Sequence, residues 1–416
     1  VRDSAILQGA AIVSGVASLV SALGLAYVLG PEAQGEFYLA VASWSFLWFF
    51  VSLGLYNVAA SQIAAAVARG NEAKVGSWVA WLAKASFLIG LGATVLGQLL
   101  LPAFSQWAYE APVVGRAAAI LALTPLLELP RVVLNAALQG ARRMSALARV
   151  ENGQELTRVF LVVMGAVGTG DAIGPAIGMV GASLVGSLLA LDAYVRESRR
   201  PETFLPRLGS VTQRLREVPT ALGLRLGLRV GLMRNVDAYG VQILPPMVLG
   251  IFGDRAWVAY LRLAQRFVGV ARLLMSGIAR TALSHFSGLV GTKDHAALGP
   301  AYWRATLGSG VLMTVALLAS LPLVPMVIAY FPDAYHDPVW LCYRILVPGV
   351  IVVSFSVAND TFYLVTNTLR VAVIIQFVGL FVGLSAIVLC SWLWPTFGTA
   401  LGLSINFCWS LVHVAY

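Results

Sequence analysis

The sequence has 416 residues, of which 59% are hydrophobic and 11% charged, with a formal net charge of +9. Soluble domains carry about 25% charged residues, so this composition excludes a soluble globular protein and specifies a polytopic membrane protein. The excess of cations lies in short loops and on helix faces, which ties it to membrane topology and an anionic ligand and gives no reason to expect nucleic acid.

Twelve spanning helices are expected, at about 5–29, 36–60, 78–101, 114–139, 147–168, 174–195, 222–250, 255–287, 304–329, 339–365, 370–392 and 397–416. The loops between them alternate in charge. The even ones carry Arg69 and Lys74, Arg142 and Arg143, the run from Arg196 to Arg216, Lys293, and Arg370. The odd ones carry Glu32, Glu110, Asp171, Asp254, Asp333 and Asp337, with Arg255 as a boundary exception. The positive-inside rule then puts the even loops and both termini in the cytoplasm. Short outer loops leave no room for a folded external domain. The predicted division is an N-lobe at 1–195, a basic cytoplasmic linker at 196–221 and a C-lobe at 222–416. The linker could carry a segment that lies on the anionic inner surface.

The halves repeat one another. Val28-Leu29-Gly30, Glu32 and Tyr38 are answered by Val248-Leu249-Gly250, Asp254 and Tyr260, and the same step takes Trp81 to Trp303. Ala108-Tyr109-Glu110-Ala111-Pro112 is answered by Ala334-Tyr335-His336-Asp337-Pro338, and Gly174 to Gly178 by Gly398 to Gly402. Ordered matches at a near-constant step indicate duplication. An even number of helices per half gives both halves the same orientation, the layout of carriers with a central cavity between two pseudo-symmetric lobes.

The eighth span carries Arg255, Arg262, Arg266 and Arg280. At roughly 100° per residue the four fall within about 40° on one helix face. A charge at mid-bilayer costs at least about 2.5–3.5 kcal/mol, so this row is expected to face a cavity, a bound anion or an acidic partner. The matching positions of the second span are Ala40, Trp44 and Val58, so one lobe is cationic where the other is apolar or aromatic. The fourth span sets Glu128 and Arg131 on one face with Thr124, Asn135 and Gln139; that pair serves equally as an internally neutralised structural unit or a substrate contact. The seventh carries Arg234 and Asp237. Lys84 and Arg344 are further cations within spans. The substrate-binding candidates are therefore Arg262, Arg266, Arg280, Arg255, Arg131, Arg234, Lys84, Arg344 and Trp44, with Asp237 and Glu128 as candidates for ion coupling. No phosphate-cradling loop, zinc pattern or nucleophile elbow is present, and Cys342, Cys390 and Cys408 have no metal or redox spacing. A transporter without a cofactor is expected.

Leu29-Gly30-Pro31-Glu32-Ala33-Gln34-Gly35 resembles the LGPxxxG turn of polysaccharide and O-antigen flippases (the Wzx type). Asn235-Val236-Asp237 ahead of Val248-Leu249-Gly250, Phe331-Pro332-Asp333-Ala334-Tyr335, and Gly174 to Gly178 resemble three further motifs of that family, in its order. The second-lobe turn departs from the pattern, with Ile251-Phe252-Gly253 where the family has Pro-Glu. The resemblance implies the multidrug/oligosaccharidyl-lipid/polysaccharide (MOP) superfamily. It further implies a bacterial-type inner membrane, among membrane lipids and beside polysaccharide-assembly proteins; two lobes in one chain make a monomer the expected state. The substrate so implied is an undecaprenyl-pyrophosphate-linked oligosaccharide, moved from inner to outer leaflet; with no nucleotide site in the sequence, an ion gradient (H+ or Na+) or the substrate's own gradient is expected to drive it. The alternatives are a multidrug exporter of the same superfamily, which would favour acidic cavity residues, and a membrane polysaccharide polymerase or ligase, which would need a catalytic outer loop.

Overall fold

A computed structural model describes residues 2–51, 54–200, 203–224, 227–228, 231, 239–291, 295–366 and 368–415, without the side chains of 2–13, 49–51, 270–281 and scattered single positions. The described residues are almost wholly helical and include no strand. The solvent dictates this: hydrocarbon offers backbone N–H and C=O groups no partner, so each must be satisfied within its own helix.

In chain order the helices are α1 (Arg2–Val51), α2 (Leu55–Ala68), α3 (Glu72–Tyr109), α4 (Pro112–Leu121), α5 (Thr124–Gly140), α6 (Met144–Thr169), α7 (Ile173–Ser198) and the short α8 (Leu208–Arg214). They continue as α9 (Leu244–Phe252), α10 (Arg255–Gly291), α11 (His295–Ile328), α12 (His336–Ser354), α13 (Asn359–Val365), α14 (Leu369–Leu393), α15 (Gly398–Cys408) and α16 (Ser410–Ala415). A helix or a consecutive pair coincides with eleven of the twelve expected spans; the seventh is described continuously only from Tyr239. Seven of the described helices are long and apolar enough to cross a membrane by length and composition alone. The chain is an all-α polytopic membrane protein.

The first two spans share α1, which is broken at Gly30 (φ 70°, ψ 177°). Only glycine enters that region without strain. Pro31 then starts the next helix, where a missing N–H is harmless. Five residues on, a Cβ at Gly35 would stand 1.9 Å from the Arg255 carbonyl oxygen, so the backbone of α1 crosses the start of α10 in direct contact. Each glycine of the LGPxxxG stretch thus has a separate steric reason.

The chain divides into two compact units, Val1–Leu29 with Ala40–Asn235, and Gly30–Leu39 with Val236–Tyr416. In the first unit α7 packs on α6 and α5, and α5 on α2 and α3, around the buried Ile63, Trp81, Leu138 and Tyr194. The basic segment after α7 is fixed to this unit. Thr220 accepts from Trp81 Nε1 at 2.8 Å, Val218 from Lys84 Nζ at 3.1 Å, and Pro206 from the Tyr194 hydroxyl at 2.7 Å. Arg214 Nη1 donates to the Ala73 carbonyl at 2.8 Å.

The repeat has a structural counterpart. Cβ atoms on Gly174 and Gly178 of α7 would lie 2.0 Å from the Gly165 oxygen and 2.2 Å from the Leu161 oxygen of α6. On Gly398 and Gly402 of α15 they would lie 2.0 Å from the Cys390 oxygen and 2.5 Å from Ile387 Cα of α14. The same residues make the same close crossing in each unit, as small-residue packing in lipid requires. The matched tryptophans have diverged: Trp81 is fully buried under the basic segment, whereas Trp303 is 49% exposed.

Gly35→Val is expected to lower the melting temperature of the purified protein, since overpacking a tight contact costs about 1–3 kcal/mol. Gly92→Val is the control, because a Cβ there meets nothing within 4 Å. Equal melting temperatures for the two would refute the crossing at Gly35.

Candidate functional site: an arginine pair and an internal cavity

α10 runs unbroken from Arg255 to Gly291, so Arg255, Arg262 and Arg266 stand on one helical face. Their environments differ. Arg255 is neutralised: its Nη1 lies 2.7 Å from Glu36 Oε1 and 3.9 Å from Glu32 Oε1. Arg262 Nη1 donates to Gln265 Oε1 at 3.3 Å, and Gln265 Nε2 donates to the Val241 carbonyl at 3.0 Å. Among the described residues no carboxylate pairs with Arg262. Arg266, one turn on, places its guanidinium carbon 5.3 Å from the centre of the Tyr38 ring, a cation–π contact.

Tyr38 is held from the other side. Gln34 Nε2 donates to its hydroxyl at 3.2 Å, and the Tyr335 hydroxyl donates to Gln34 Oε1 at 2.7 Å. Tyr260 meets Tyr335 edge-on, with ring centroids 5.5 Å apart. A rigid aromatic and amide frame therefore fixes Arg266, while Arg262 is anchored by a neutral amide that removes none of its charge. Two guanidiniums one helical turn apart repel one another. An anion between them would relieve that repulsion, and guanidinium forks match the geometry of phosphate oxygens.

The second group lies in the first unit. Glu128 accepts from Arg131 Nη2 and, at 3.1 Å, from Gln154 Nε2 of α6. Arg131 also lines a cavity of about 420 Å3 with Trp48, Tyr56, Asn135, Gln139 and Glu151. Within that lining the Tyr56 hydroxyl donates to Gln139 Oε1 at 2.6 Å.

The sequence model of a family described as polysaccharide biosynthesis protein matches residues 1–284. The chain belongs to this family. No curated protein matches the sequence. Among solved structures, the chain is similar to a multidrug resistance MATE family transporter of the MOP superfamily in an inward-facing conformation (15% identity, 97% of this chain and 93% of that one, TM-score 0.78). It is similar also to the lipid II flippase MurJ in an inward closed conformation (12% identity, 98% and 86%, TM-score 0.74). A third is a MOP superfamily transporter from Pyrococcus furiosus described as having a binding pocket of reversed polarity (15% identity, 99% and 91%, TM-score 0.56). At these identities the likeness establishes the fold, that of the MOP superfamily.

In this member of the polysaccharide biosynthesis family, the structure brings together Arg262 and Arg266 of the expected cations, and Glu128 with Arg131. Lys84 holds the Val218 carbonyl, and Arg344 is exposed beside the Trp340 ring, 5.4 Å from its centre. Trp44 is buried in the first unit against Trp48. The Arg280 side chain, Arg234 and Asp237 lie outside what the structure describes. Sequence reasoning missed Tyr38, Gln265, Glu151 and Gln154. Gln265 was detectable in principle, three residues beyond Arg262 on the same helix; the others act across helices, and no local spacing reports them.

Glu128→Ala is expected to destabilise the protein toward the lower end of the about 3–5 kcal/mol seen when one member of a buried pair is removed, since Arg131 and Glu128 keep 21% and 13% exposure. Changing both, Glu128→Gln with Arg131→Gln, should recover part of that loss in a thermal unfolding series. A double variant worse than the sum of the singles would contradict the pairing.

Proposed function

We propose that the protein is a flippase that carries an undecaprenyl-pyrophosphate-linked oligosaccharide from the inner to the outer leaflet of a bacterial-type cytoplasmic membrane by alternating access. Arg262 and Arg266 bind the pyrophosphate. The observation that carries this reading is Arg262: a guanidinium within a spanning helix whose described partner is an amide, with no described carboxylate to neutralise it. Such a cation is expensive in a membrane unless an anion visits it. Membership of a polysaccharide biosynthesis family supports a saccharide-bearing cargo. The similarity to a lipid II flippase supports a lipid-linked one. The chemistry is binding and release, and no covalent step is required of the protein. Arg280 and Arg234 are proposed to extend the cationic lining, whereas Arg255 is held by Glu36; Glu128 or Asp237 is proposed as the group that couples transport to H+ or Na+.

Arg262→Ala with Arg266→Ala is expected to abolish transport of the lipid-linked saccharide while leaving folded protein in the membrane. The double variant should also lose the thermal stabilisation that undecaprenyl-pyrophosphate saccharide gives the purified wild type, a stabilisation weakened by salt. Full transport by the double variant would remove the arginine pair from the mechanism. Stabilisation by a hydrophobic organic cation alone would move the protein to the multidrug-exporter class.

A further inference from the structure

In the first unit the pairing of charges leaves one cavity carboxylate over, that of Glu151. It stands on α6, which starts at Met144, and so lies about 10 Å along that helix. It lines the cavity of about 420 Å3 together with Trp48, Tyr56, Arg131 and Gln139. The residue is half-buried, and among the described residues it makes no hydrogen bond and no ion pair. Its oxygens are open to water, whereas the unpartnered Arg131 Nε and Asn135 Oδ1 are closed off from it.

The charged groups around it are accounted for. Arg131 of α5 lies within its electrostatic reach, as does the Tyr56 hydroxyl of α2. Arg131 is already the partner of Glu128, which accepts from Gln154 Nε2 as well. The Tyr56 hydroxyl donates to Gln139. α3 and the end of α1 add only Ser86 and Trp48 to the lining, and Lys84 of α3 is turned to the Val218 carbonyl. On α6 itself Glu155 pairs with Arg158, and Arg149 is exposed beside the Ser145 carbonyl. On α7 Asp192 pairs with Arg196, and Glu197 with Arg143.

Glu128, Arg131 and Glu151 therefore hold one positive and two negative charges. An uncompensated charge within a span is expensive, and a single proton removes it. A metal cation would be repelled by the Arg131 guanidinium. A carboxylate that accepts no hydrogen bond keeps its oxygens available to a proton.

We propose that Glu151 takes up the coupling proton from water in this cavity, with Arg131 as the shared partner that links it to Glu128. The O–H bond forms at a Glu151 oxygen with a proton from hydronium, and it breaks when water takes that proton back. No other bond changes. While Glu151 is ionised, two carboxylates compete for Arg131. Once Glu151 is protonated, Arg131 belongs to Glu128 alone, so the proton sets the attraction between α5 and α6. The inference deepens the flippase reading, on which it rests for the cargo that the proton drives.

Infrared difference spectroscopy of the purified full chain tests it, because the C=O stretch of a protonated carboxylic acid stands apart from carboxylate and amide bands. On acidification from neutral pH the wild type is expected to gain such a band. Glu151→Gln should lack it, and Glu151→Asp, which keeps an acid, should show it at a shifted position. Glu155→Gln is the control and should keep it, because Glu155 is paired with Arg158. Thermal unfolding checks that the variants fold. Bare undecaprenyl pyrophosphate added at fixed pH should change the Glu151 band at least twofold, since coupled sites shift one another's occupancy. No band in wild type, or a band that survives unchanged in Glu151→Gln, overturns the proposal and leaves Glu151 a solvated carboxylate. A Glu151 band that bound lipid leaves unaltered overturns the coupling. If the band appears and the lipid does not bind, the flippase reading falls and the proton site stands; if the lipid binds and no Glu151 band appears, only the proton site falls.

Discussion

A guanidinium surrounded by hydrocarbon is far less stable than one in water, and the placement of the described charges follows from that penalty. Arg255 meets Glu36, Arg131 meets Glu128, and Arg158 meets Glu155 on its own helix. Each pair puts opposite charges within a few ångströms, where the low dielectric that penalises a lone ion strengthens their attraction. Arg262 departs from this pattern, with an amide as its described partner. Where the described partner of a cation is neutral, a mobile anion can supply the opposite charge, and that is the physical basis of the functional reading.

The same solvent shapes the packing. Lipid tails are as apolar as leucine, so helices in a membrane are not driven together by hydrophobic burial and rely instead on close van der Waals contact. Here that contact is made where glycines remove the side chain from between two backbones: Gly174 and Gly178 on α6, Gly398 and Gly402 on α14, and Gly35 on α10. The long lipid-facing sides of α3, α11 and α14 carry exposed leucine, valine and phenylalanine, which would be a liability in water and is the expected surface in a bilayer. The arginine pair depends on this packing. Gly35 brings α1 against α10, and the residues that follow it on α1 deliver Tyr38 to Arg266.

The sequence determined what depends on solvent and on local spacing. Composition set the all-helical membrane class, hydropathy set the spans, and the 3.6-residue period put Arg262 and Arg266 on one face. The duplicated glycine stretches were visible because close helix crossing tolerates few other residues, so steric need leaves a mark in sequence. What the tertiary structure decided is the partner of each polar group. Nothing local separates Arg255, which meets carboxylates on α1, from Arg262, which meets an amide on its own helix. Nothing local shows that Lys84 holds a loop carbonyl, or that Gln154 reaches Glu128 from another helix. The cavity lined by Arg131 and Asn135 exists only once five stretches of chain are packed together. Periodicity reports the face on which a side chain stands; the electrostatic consequence depends on what stands opposite, and residues far apart in the chain supply that.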